Sequence, residues 1–224
     1  MRFIDTPIGK KIIMSVTGII LIKFLFIHLI GNSSIFLGPN GINLYAQSLH
    51  SLPPLVWGFR AVMLFIFLVH IYFAIKLTLE NKEAKPVAYA IDKTLVATFS
   101  SKTMIWTGLI IFAFVIYHLL HFTIQITTPN FAASLNPDNL GRPDVFKMIV
   151  LSFQKGTISF VYAFALLALM LHLSHGIQSI FQTLGLNTQT LMPKIKIVGT
   201  VVALLILIGY LSIPTAILMG IVKI

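Results

Sequence analysis

The sequence predicts an all-α integral membrane protein, a bundle of five transmembrane helices. Three observations lead there. First, 57% of the 224 residues are hydrophobic and only 10% are charged, against about 25% charged in an ordinary soluble domain. Second, the apolar residues fall into five runs, each close to the roughly 20 residues needed to cross the hydrocarbon. Third, the six acidic residues, Asp5, Glu80, Glu83, Asp92, Asp138 and Asp144, all lie in loops or at the ends of those runs. The length allows a single membrane domain over residues 1–224.

The spans are expected near 12–35, 56–79, 103–126, 157–182 and 197–222. The first follows "GKK" and is too long for a signal-peptide core, with no small-residue cleavage site after it, so it reads as a retained helix. Between the spans lie "LGPNGINLYAQSLHSLPP", "ENKEAKPVAYAIDKTLVATFSSK", "TTPNFAASLNPDNLGRPD" and "LGLNTQTLMPK", each punctuated by residues that favour turns.

A net charge of +10 would suggest nucleic acid in a soluble protein. Here it reports topology. Arg2, Lys10 and Lys11, then Lys82, Lys85, Lys93 and Lys102, then Lys194 and Lys196 share one side of the membrane. The first connection has no Lys or Arg, and the third has Arg142 and Lys147, with Lys155 just before the fourth span. The positive-inside rule puts the N-terminus in the cytoplasm and the C-terminus outside.

What the spans lack narrows the chemistry. The chain has no cysteine, which removes disulfides, iron–sulfur ligation and covalent c-type haem. No carboxylate lies within a span, so the acidic relays of cation-coupled transporters are missing, and matched broken helices are not evident. The ionisable groups left in the spans are histidines, Lys23 and Arg60. Lys23 lies about 140° around its helix from His28, which suits snorkelling to the headgroups or a local polar contact.

Helix rise converts position into depth. His28 lies roughly 25 Å from the cytoplasmic edge and His118 roughly 24 Å. His70 lies about 9 Å from it, and His172 about 16 Å. Four helices therefore supply histidines in two tiers, His28 with His118 on the outer side and His70 with the His172 region on the inner side. A single membrane histidine is as readily an interhelical hydrogen-bonding group. Four of them, one per helix and paired by depth, point to axial ligation of two b-type haems, which needs no cysteine. Spacing does not choose within the close pairs His118/His121 and His172/His175. Residues three apart differ by about 60° and 4.5 Å, and on depth His175 matches His70 slightly better.

The chain resembles the five-helix dihaem cytochrome b membrane anchor of succinate:quinone oxidoreductases and fumarate reductases. The resemblance is carried by "HLIGN" from His28, "SLP" at 51–53 followed by His70, "YHLLHF" at 117–122 and "HLSHG" from His172. It covers the first four helices. "HLSHG" is similar to the family's H-x-S-x-G pattern, whose first histidine is the ligand. The resemblance therefore implies His172 rather than His175, and His118 in the third helix. It implies a distal haem between His28 and His118 and a proximal haem between His70 and His172. His121, Ser174 and His175 are left as candidates for supporting contacts around them.

The same resemblance implies partners: a flavoprotein that interconverts succinate and fumarate, and an iron–sulfur protein that relays electrons to the anchor. Both would dock on the cytoplasmic face of a bacterial cytoplasmic membrane. The anchor alone would not act on succinate or fumarate; it would contribute the site where a quinone, menaquinone in similar proteins, reacts. That site is expected near the distal haem, where Asn43, Gln47, His50, Arg60 and Gln125 are the polar candidates. Arg60 could equally neutralise a haem propionate or snorkel. Some fumarate reductase anchors carry a glutamate two residues before the fourth-helix ligand, used to return protons; here that residue is Met170. The competing expectations are the b-type anchor of a hydrogenase or formate dehydrogenase, and a non-haem transporter.

Overall fold

The computed structural model describes residues 2–84 and 98–224; Lys85 and Lys93, used above for topology, and Asp92 lie outside the described residues. The fold is all-α, and among the described residues the only β pairing is an isolated bridge between Pro137 and Pro143. The helices in chain order are α1 (Pro7–Ser33), α2 (Pro39–His50), α3 (Pro53–Glu83), α4 (Phe99–Lys102), α5 (Met104–His118), α6 (Val145–Phe153), α7 (Gly156–Thr183) and α8 (Leu191–Leu218). A wide π turn, Leu119–Thr123, extends α5. Five of these segments are long and apolar enough to cross a membrane: Pro7–Leu37, Pro53–Glu83, Met104–Thr123, Gly156–Thr183 and Leu191–Leu218.

The helix ends follow local chemistry. α1 begins five residues before the expected position because Thr6 caps it, its Oγ1 accepting from the Gly9 N–H at 3.0 Å, with Pro7 in the first helical position. α7 ends on Gly185 at φ 80°, where the Leu186 N–H donates to the Phe181 carbonyl at 2.9 Å, the left-handed closure that suits glycine. α3 runs to Glu83 rather than 79. Glu80, ten residues after His70 and roughly 15 Å away along the axis, forms an ion pair with the buried Lys10 of α1.

Two connections fold into helices that were expected as irregular segments. α2 and α6 lie at one end of the bundle and bury Ile42, Phe146, Ile149, Val150 and Phe153 against the ends of α7 and α8. Elsewhere α8 packs closely on both α7 and α1: a Cβ on Gly199 would come 3.2 Å from Ile177, and one on Gly209 2.7 Å from Leu29. In lipid, apolar contact gives helices little drive to associate, so close approach and interhelical hydrogen bonds carry more of the specificity. Tyr210 of α8 supplies one, donating to the Leu25 carbonyl of α1 at 2.8 Å. Most of α3 faces outward, with only Val56 and Leu77 buried.

Candidate functional site

The seven histidines divide by what their ring nitrogens do. His121 is fully buried and both its nitrogens are engaged, Nδ1 with the Tyr162 hydroxyl at 2.9 Å and Nε2 with Ser152 Oγ at 3.2 Å. His50 is also bonded at both, Nδ1 to the Ala46 carbonyl at 2.8 Å and Nε2 facing Arg60 Nη2 at 3.2 Å. His70, His118 and His172 are bonded at Nδ1 only, to Thr17 Oγ1 at 3.0 Å, Tyr162 Oη at 3.3 Å and Thr107 Oγ1 at 3.3 Å respectively. The rings of His28 and His175 make no hydrogen bond among the described residues.

Helix geometry places these rings in pairs. His28 of α1 and His118 of α5 lie with ring centroids 5.9 Å apart and planes 87° to each other. Phe24 stacks on His28 at 5.3 Å, and Tyr210 flanks it at 6.1 Å. His70 of α3 lies against Thr17 of α1, and His172 of α7 against Thr107 of α5. Ser174 turns elsewhere: its Oγ bonds Ser100 Oγ at 3.1 Å and tethers α4 to α7. Met170 packs among Leu173, Ala203 and Ile206.

The donor set fits a haem held by two axial imidazoles. Such a site asks each protein side chain for one unprotonated ring nitrogen, and an oriented ligand histidine donates its other N–H to a neighbour. That is the pattern at His70, His118 and His172, with Nε2 free among the described residues. His28 and His118, with ring centroids 5.9 Å apart, would hold such a group between them. No three His, Asp or Glu side chains converge among the described residues, so the geometry offers pairs rather than a cage for a bare ion.

The polar residues expected around a quinone separate into distinct places. His50 and Arg60 come together, and Arg60 also lies over the Trp57 ring at 5.0 Å. Gln47, also exposed, lies one turn before His50 on α2. Asn43 turns the other way and is 1% exposed. Its Nδ2 donates to Asp138 Oδ2 at 3.2 Å and Asp144 Oδ1 at 3.1 Å, and its Oδ1 accepts from the Phe146 N–H at 2.9 Å. Gln125 follows the π turn at φ 63°, an unusual conformation for a side-chain-bearing residue, and its buried Oε1 has no partner among the described residues. Lys23 is exposed on α1.

Sequence reasoning missed Thr17, Thr107, Tyr162 and Ser152, the residues that hold the histidines. A hydroxyl within a span can return its hydrogen bond to its own helix, so composition does not single it out.

Comparison with known proteins is consistent with this architecture. The family described as succinate dehydrogenase/fumarate reductase transmembrane subunit matches residues 78–209, a stretch that contains His118, His121, His172 and His175 and begins after His28 and His70. No curated protein and no solved structure matches the chain. The match covers more than half of the sequence and falls on three of the five apolar helices. The chain belongs to the family of transmembrane subunits of succinate dehydrogenase and fumarate reductase, the membrane part of a multi-subunit oxidoreductase.

Proposed function

We propose that the chain is a dihaem cytochrome b anchor, with His28 and His118 as axial ligands of one haem b and His70 and His172 as those of the other. The observation that carries this reading is the division of the histidines described above. Each of four helices carries a histidine whose Nε2 is free, and on three of them that histidine is fixed through Nδ1: His70, His118 and His172; His175, also with a free Nε2, has no such support. His121, the neighbour of His118, has both nitrogens bonded. Bound haem supplies a one-electron redox centre at each pair, so two pairs at different depths make an electron path across the membrane.

The remaining residues do what a protein scaffold contributes. Thr17, Thr107 and Tyr162 orient rings, and Phe24 and Tyr210 shield His28 from lipid. The excess of lysines on the N-terminal side supports a cytoplasmic N-terminus and C-terminus outside. That face is the docking surface for the iron–sulfur subunit, which receives electrons from the flavoprotein. The quinone, menaquinone by family resemblance, reacts at the opposite face near the His28–His118 pair. There the exposed His50–Arg60 group offers a hydrogen-bonding partner for a quinone carbonyl, with Gln47 and Gln125 as further candidates. The complex resides in a bacterial cytoplasmic membrane and runs as either succinate oxidation or fumarate reduction.

The test is a reduced-minus-oxidised optical spectrum of the purified complex with a haem-to-chain ratio. Two b-type haems per chain are expected, and an absence of b-type bands would end the reading. With Met170 where some relatives have a glutamate, turnover in sealed vesicles is expected to respond to membrane potential; indifference to it would refute electrogenic transfer.

A further inference from the structure

α1 and α5 carry the same pattern: a threonine, a glycine, nine residues and a histidine. It is Thr17, Gly18 and His28 on α1, and Thr107, Gly108 and His118 on α5. Eleven residues advance a helix by three turns and about 20°. Threonine and histidine therefore point to the same side, roughly 16 Å apart along the axis. One end of each copy carries a ligand of the His28–His118 pair; the other reaches the His70–His172 pair.

The two threonines make the same set of bonds. Thr17 Oγ1 lies 2.8 Å from the Ile13 carbonyl and 3.0 Å from that of Met14. Thr107 Oγ1 lies 3.1 Å from the Thr103 carbonyl and 3.0 Å from that of Met104. A hydroxyl has one proton. With that proton given to its own helix, each Oγ1 presents a lone pair to the imidazole, so it accepts from Nδ1–H of His70 or of His172. The next residue is glycine in both copies. A Cβ there would sit 3.5 Å from Cε1 of His70 at Gly18 and 3.4 Å from Cε1 of His172 at Gly108. In both copies backbone without a side chain lies beside the ring.

We propose that Thr17 and Thr107 are paired positioning residues for the His70–His172 site. Each holds its histidine as the Nδ1–H tautomer and sets the ring's rotation, leaving Nε2 without a proton. The repeated pattern makes each of two helices supply a ligand to one site while seating a ligand of the other. This rests on the haem reading above. An accepting group on Nδ1–H raises the basicity of a ligand imidazole, which favours the oxidised iron and lowers the reduction potential.

The experiment is a redox titration of the b-type bands in the purified complex carrying Thr17→Val, Thr107→Val, Thr17→Ser or Thr107→Ser. The His70–His172 component is identified as the one missing from His172→Ala. Each valine variant, which keeps the shape but not the acceptor, is expected to shift the ratio of reduced to oxidised haem in that component about tenfold toward reduced. For a one-electron couple this is about 59 mV. The component held by His28 and His118 should not move, although Thr17 shares a helix with His28. The serine variants should restore the parent value. Valine variants that bind both haems and leave both potentials unchanged, or that move the other component, overturn the proposal. A parent complex without b-type bands instead overturns the haem reading, and the proposal with it.

Discussion

His118 and His121 share one hydroxyl. Tyr162 Oη lies 3.3 Å from Nδ1 of His118 and 2.9 Å from Nδ1 of His121. The π turn beginning at Leu119 accompanies this convergence of two side chains that a regular helix would set about 60° apart. With Nε2 of His118 unprotonated, the chain of bonds has one consistent polarity. His118 Nδ1–H donates to Tyr162, the phenol donates to His121 Nδ1, and His121 Nε2–H donates to Ser152 Oγ of α6.

Tyr162→Phe removes the middle of that chain while keeping the ring that packs on Phe114 and Phe153 with centroids 4.9 Å away. His121, fully buried, is left with an unpaired nitrogen, a loss of about 1–3 kcal/mol. A lower melting temperature in detergent is expected, together with a shift in the reduction potential of the haem proposed for His28 and His118. Unchanged melting and unchanged potential would show that the bonds to Tyr162 contribute nothing.

Within the close pairs, substitution should separate ligand from neighbour. His172→Ala and His118→Ala are each expected to reduce the complex from two haems to one. His175→Ala should keep both, since of the two α7 histidines only His172 is held at Nδ1, by Thr107. His121→Ala should also keep both while melting earlier. Haem quantified per chain decides it, and loss of a haem in His175→Ala with retention in His172→Ala would reverse the assignment.

The five spans were legible because lipid imposes a composition that hydropathy reads directly. The short helices α2 and α6 were not, because Pro39, Asn40 and Gly41 at the start of α2 are the residues that also signal turns. The histidines were visible as rare groups in apolar runs. Their supports were not, since Thr17 and Thr107 return a bond to their own helix and resemble any threonine in a span. The signal for them was present as the repeated eleven-residue separation from His28 and His118. Tyr162 lies 41 residues from His121 on another helix, and no local pattern links the two. Asn43 was legible as a polar residue at the right end of the bundle, but whether its amide turned outward or inward depended on a loop 95 residues away.

Asn43→Ala tests that inward role. The amide bridges Asp138, Asp144 and the Phe146 N–H, so its removal leaves buried partners unpaired at the start of α6. A loss of about 1–3 kcal/mol is expected, read as earlier thermal unfolding and faster proteolysis in the segment before Val145. Stability equal to the parent, with quinone reactivity impaired, would mean that the residue serves the substrate rather than the fold.

Acid should loosen the same region in a defined window. Asp138 accepts from Arg142 Nε at 2.8 Å, from the Leu140 and Arg142 N–H groups at 2.9 Å each, and from Asn43 at 3.2 Å. The hydrogen bond from the Arg142 side chain, foremost among these, holds its carboxyl at about 2, below the ordinary value near 4. The folded loop thus binds fewer protons than the unfolded chain across that interval. Its contribution to stability is complete above about pH 4 and is lost as the pH falls through about 2. Hydrogen exchange at the Leu140 and Arg142 amides should accelerate on acidification from pH 5 to 2 beyond the intrinsic pH dependence of exchange. Asp138→Asn, which cannot ionise, should be less protected at pH 5 and nearly flat across the range. The same acid profile in the variant and the parent would place the transition on another carboxylate, of which Asp144 is the nearest in the network.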